Sequence, residues 1–144
     1  MTTIAKYHPA RQYARVGLET DIAAADPHRM ILLLFGGALR AIGDAQRHLA
    51  ARRIAAKGEA ISRAISIVDQ GLRRSLDCAR GGELAKQLDE LYDYLNRRLL
   101  MASLHNDTAA LAEVADLLGR LRGAWTEIGD PRAVPPLTSA PSDA

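Results

Sequence analysis

Four apolar stripes at helical spacing, separated by turn signals, constrain this 144-residue chain more than any other feature. The first is Ile31, Phe35, Ala38, Ile42, Ala45, Leu49, and the second is Ile61, Ile65, Val68, Leu72, Leu76. The third is Leu84, Leu88, Leu91, Leu95, Ala102, and the fourth is Leu111, Val114, Leu118, Leu121, Trp125, Ile128. Steps of three and four keep side chains on one face of a helix, whereas a strand alternates faces every second residue. The expected fold class is all-α: an antiparallel up-down-up-down four-helix bundle, preceded by a short N-terminal arm and followed by a disordered tail.

Punctuation divides the chain into an arm with a short helix (1–25), the bundle (26–129) and the tail (130–144). Asp26-Pro27 marks the first helix, because an Asp side chain accepts from orphan amides and proline tolerates the first helical position. That helix is expected to run to about Ala51. The second is expected to begin between Arg53 and Glu59 and to end before Gly81-Gly82, with the third from about Glu83 to Leu104. Asn106 or Asp107 caps the fourth, which Gly129 and Pro131 stop. The proline-rich segment PRAVPPLTSAPSDA has no periodicity and is read as disordered.

Nineteen basic and seventeen acidic residues give a net charge of +2, with arginine spread along every helix. Nucleic-acid binding calls for basic residues clustered on one face, so no such partner is expected. The opening residues MTTIAKYHPARQYARVG hold no long apolar run. Neither a secretory signal nor membrane insertion is expected, and the reading is cytoplasmic. Cys78, the only cysteine, suits a reducing compartment and a structural role.

Bundles often carry di-metal sites on Glu-x-x-His pairs, and this sequence has none. Its histidines, His8, His28, His48 and His105, fall in the arm or near helix ends; Asp44 with His48 supplies only two ligands. No phosphate loop or nucleophile elbow is present. Neither an enzyme nor a cofactor is expected, and binding through apolar surface is left.

The first helix carries Met30, Leu32, Leu33, Leu34 and Leu39 off its core stripe, a surplus that suits burial or a partner protein. Gly36-Gly37 inside that helix costs about 2 kcal/mol relative to alanine, which points either to close helix packing or to a partner's backbone. On the third helix Tyr92 and Tyr94 stand two residues apart and cannot share a face, so at least one looks outward. Tyr94, Arg98 and Met101 form a second stripe of the residue types that enrich partner surfaces. Trp125 lies on the fourth stripe and is expected to lock two helices together.

Several stretches in fixed order resemble the flagellin-specific export chaperones of the FliS family. They are YARVGLET from Tyr13, DPHRMILLLFGGA from Asp26, Ser75-Leu76-Asp77, Gly81-Gly82-Glu83-Leu84-Ala85 and LYDYLNRRL from Leu91, with Trp125 at the place of a late tryptophan. The resemblance covers residues 10 to 128. The chain departs from the pattern at Gly36, at Ser103 and around Ile22-Ala23-Ala24. The resemblance implies a cytoplasmic bundle that binds the disordered C-terminal segment of flagellin, prevents premature polymerisation and presents the subunit to a component of the flagellar type III export gate.

With that resemblance, client contact is assigned to Met30, Leu33, Leu34 and Gly37 on the first helix and to Leu91, Tyr94, Leu95, Arg98 and Met101 on the third. Ile4, Tyr7 and Tyr13 are assigned to a cover over the first-helix patch. Weak self-association of the free chain is also expected. The expected mechanism is folding upon binding, in which the client lays short amphipathic helices into grooves of the bundle. The competing readings are a helical adaptor or homodimerisation module with no flagellin client, and a small enzyme with an unrecognised site.

Overall fold

An Asp side chain and a proline open the first helix as expected. Asp26 Oδ1 accepts the Arg29 amide at 3.2 Å, and α1 spans Pro27–Ala50. The computed structural model describes residues 26–128. The arm with Ile4, Tyr7 and Tyr13, the tail, and the side chain of Cys78 lie outside the described residues. Chain contacts separate Met1–Met30 from Ile31–Ala144, and the bundle is the described part of the second unit.

Among the described residues every regular element is helical. After α1 come α2 (Ile54–Ser66), continued by a π-helical segment (Ile67–Arg73), then α3 (Cys78–His105) and α4 (Thr108–Ile128). Pairings between neighbours run in opposite directions along the chain. Leu34 meets Gly71, Gly37 meets Ile67, and Asp44 pairs with Arg63, so α1 and α2 are antiparallel. Arg73 pairs with Asp89, the Asn96 amide reaches the Ile65 carbonyl, and Lys57 reaches Ser103, so α2 and α3 are antiparallel as well. A two-residue break folds α4 back along α3, where Glu113 meets Tyr94 and Arg98.

Both sharp turns use the same device. Arg52 and Asn106 have φ of 60° and 52°, and the next amide reaches back five residues, Arg53 to His48 at 2.8 Å and Asp107 to Ala102 at 3.2 Å. This is the Schellman closure of a helix C-terminus. Asp107 then caps α4 by accepting the Ala110 amide at 3.1 Å. A further carbonyl at the end of α3, that of Ser103, accepts the ammonium of buried Lys57 at 2.7 Å. A cation at a helix C-terminus is favoured by the backbone dipole, so Lys57 ties α2 to α3 at the one place where its charge is useful.

The core collects Phe35, Ala38, Ala41, Ile42 and Ala45 from α1, with Ala60, Ile61, Ala64, Val68 and Leu72 from α2 and its π-helical continuation. Tyr92, Leu95, Leu99 and Ala102 join from α3, and Ala110, Leu111, Val114 and Leu118 from α4. Three expectations are corrected. The second helix ends at Arg73 rather than before Gly81-Gly82, because Ser75 folds back, its hydroxyl bonding the Leu72 carbonyl at 2.7 Å. Helix α3 accordingly begins at Cys78 and kinks at Gly82, whose φ of 58° and ψ of −132° interrupt the helical backbone.

The inward face of α3 is also rotated from the expected stripe: Tyr92 and Leu99 are buried, while Leu84 is 65% exposed. Trp125 is half-buried at the margin of the core and Ile128 is exposed. By the register of Glu113 on Tyr94, the last turns of α4 come level with the Gly82 kink, where α3 offers no continuous face.

Two stability measurements check this arrangement. Leu99→Ala should lower unfolding stability by about 2 to 5 kcal/mol, whereas Leu100→Ala, its exposed neighbour, should stay within about 0.5 kcal/mol of the native chain. Equal effects in urea titrations would show that α3 is rotated differently. Arg52→Gly should raise stability by about 1 kcal/mol, because glycine relieves the left-handed backbone that arginine disfavours.

Candidate partner-binding surface

The residues assigned to partner contact fall on two seams of the bundle. Leu33 and Leu34 follow one another on α1. Leu34 is half-buried against Gly71 of the π-helical segment, while Leu33 is 36% exposed. Gly37 stands one turn further on, where an added Cβ would lie 3.4 Å from Ile67 Cδ1. Gly37 thus lies next to Ile67 of the π-helical segment. Its neighbour Gly36 faces Arg40 of its own helix. Met30 stands on the first turn of α1.

The second seam joins α3 to α4. Tyr94 donates its hydroxyl to Glu113 Oε2 at 2.5 Å, and Arg98 Nε donates to Glu113 Oε1 at 2.7 Å. The two donors hold the Glu113 carboxyl below its ordinary value, the Tyr94 bond first and the Arg98 bond second. The same bonds to Glu113 raise Tyr94 and Arg98. Tyr94 therefore looks outward from the core, as one of the two tyrosines must, but its polar end is held by α4. Burial pushes the hydroxyl of Tyr92, the other tyrosine, up to about 12.

Beside this trio Leu91 is half-buried and Met101 is 41% exposed. Leu95 is fully buried, which corrects its assignment: it belongs to the core shared with Leu99 and Ala102, not to an open face. The structure sets Leu34 and Gly37 against the π-helical segment, and Tyr94 and Arg98 against Glu113 of α4.

Reading the sequence missed three features of this surface. Leu100 and Leu104, on the outer face of α3, are 51% and 64% exposed. The adjacent pair Leu99-Leu100 is the available signal, since two successive helical positions cannot both point at one core. Glu113 carried no signal, because its role depends on which helix lies opposite. Gly71, one position before Leu72 of the second stripe, was legible only as a mid-helix glycine.

Comparison with known proteins places these seams in a family context. Residues 9–132 match the family model described as flagellar protein FliS. The chain belongs to the FliS family. It is 47% identical over 118 residues to the flagellar secretion chaperone FliS of Salmonella typhimurium, covering 82% of this chain and 87% of that protein. Against the flagellar secretion chaperone FliSB of Pseudomonas aeruginosa the identity is 42% over 118 residues, covering 82% and 93%. The Escherichia coli flagellar secretion chaperone FliS is 38% identical over 115 residues, covering 80% and 85%. Within the FliS fold described here, no helix among the described residues is long and apolar enough to cross a membrane.

The Glu113 trio makes a pH prediction. A carboxyl depressed on folding contributes stability above its unfolded value, ordinarily 4.5, and loses it as pH falls through the lower folded value. Glu113→Gln should therefore unfold at lower urea than the native chain near neutral pH, and the gap should close on acidification below pH 4.5. A gap independent of pH would mean that the trio is not formed in solution.

Proposed function

We propose that this FliS-family chain is a cytoplasmic flagellar secretion chaperone whose client is the disordered C-terminal segment of flagellin. The family relationship, with relatives named flagellar secretion chaperones at up to 47% identity, is the observation that carries the reading. Binding prevents premature polymerisation and delivers the subunit to a component of the flagellar export gate.

Two separate seams suit such a client. A folded ligand needs its contacts in one place, whereas an unstructured segment lays one short helix on each seam and spans between them. Leu33, Leu34 and Gly37 serve the α1–α2 seam, with Met30 at the start of α1. Leu91, Tyr94, Arg98 and Met101 serve the α3–α4 seam. Ordering the segment costs about 2 to 5 kcal/mol or more, so both seams must be occupied for firm binding.

Calorimetric titration with the C-terminal segment of flagellin tests the reading. Leu33→Asp and Met101→Asp are each expected to weaken binding at least about tenfold, equivalent to about 1.4 kcal/mol, with helical circular dichroism unchanged. Both residues are exposed, so a charge there leaves the core intact. Tyr94→Asp is a poorer probe, since it sets a second carboxylate against Glu113. A native chain that remains dimeric in light scattering and ignores the segment would instead be a homodimerisation module.

A further inference from the structure

At Gly71 the Leu34 side chain of α1 packs directly on the backbone of the π-helical continuation of α2. A Cβ built there would stand 2.8 Å from Leu34 Cδ2, 3.2 Å from Cδ1 and 3.4 Å from Cγ. Cδ2 alone falls inside normal contact distance, Cδ1 is tight and Cγ is in ordinary contact, so a methyl group at Gly71 displaces the end of the Leu34 side chain. The backbone beneath it is held, because the Gly71 carbonyl accepts the amides of both Arg74 and Ser75.

Resting on the flagellin-binding reading, we propose that Gly71 is a positioning residue for the client surface: by carrying no side chain it seats Leu34 on the π-helical segment, level with exposed Leu33, in the posture that receives the client. A π-helical turn is widened relative to an α-helical one and recurs at functional positions. Here it presents bare backbone to the one half-buried leucine of the patch that faces it. Gly71 touches no client itself; its influence passes through Leu34.

A double-mutant cycle on the full chain, read by calorimetric titration with the C-terminal segment of flagellin, tests this. Gly71→Ala should keep its helical circular dichroism and weaken binding about tenfold. In a Leu34→Ala background, where the displaced group is gone, adding Gly71→Ala should cause no further loss. Native-like affinity in folded Gly71→Ala overturns the proposal, and so does an equal loss in both backgrounds, because the effect would then bypass Leu34. If Gly71→Ala does not fold, methyl NMR of the native chain decides: Leu34 methyl resonances that shift on adding the segment support the role, and unmoved ones overturn it. A native chain that fails to bind the segment sinks the flagellin reading itself, an outcome distinct from any in the cycle.

Discussion

Short side chains from α1 and α2 enter one shared core, and the leucines at the surface are those that this core leaves outside. Ala38, Ala41 and Ala45 on one helix and Ala60 and Ala64 on the other are all buried. Leu34 lies over bare backbone at Gly71, and Leu33 is left facing water. Leu33 thus belongs to the apolar surface of α1 that the core leaves uncovered.

Polar contacts select the register of the remaining helices more than they stabilise it. The Arg73–Asp89 and Arg98–Glu113 pairs are partly exposed, and solvent screening leaves pairs of that kind little net stabilisation. Each nevertheless joins two different helices, so a slip of one turn would break it. Lys57 acts more strongly because its ammonium is buried. Removing the carbonyl it meets would strand a cation inside the bundle, and leaving it unmade exposes the end of α3. Together these contacts hold α3 between α2 and α4 and leave Leu100, Met101 and Leu104 outside.

That outer apolar surface fits membership of a family whose named relatives are flagellar secretion chaperones. The trio of Tyr94, Arg98 and Glu113 sets polar groups between α3 and α4 beside that surface.

Local chemistry was legible in the sequence wherever one residue acts on its own backbone. Asp26 and Asp107 cap helices, Pro27 opens one, and Gly82 takes a positive φ, all by short-range rules. The four stripes likewise determined an all-α bundle, since their period admits no strand. Tertiary structure decided what depends on a neighbour. The third stripe ran through Leu84, Leu88, Leu91, Leu95 and Ala102, and packing against α2 and α4 instead buried Tyr92 and Leu99 beside Leu95 and Ala102. Arg52 ends α1 without any sequence signal, because its left-handed backbone is imposed by the return of α2. Glu113 became the partner of Tyr94 and Arg98, and Gly71 became the seat of Leu34, for the same reason: periodicity specifies a face, but only the helix opposite specifies what that face touches.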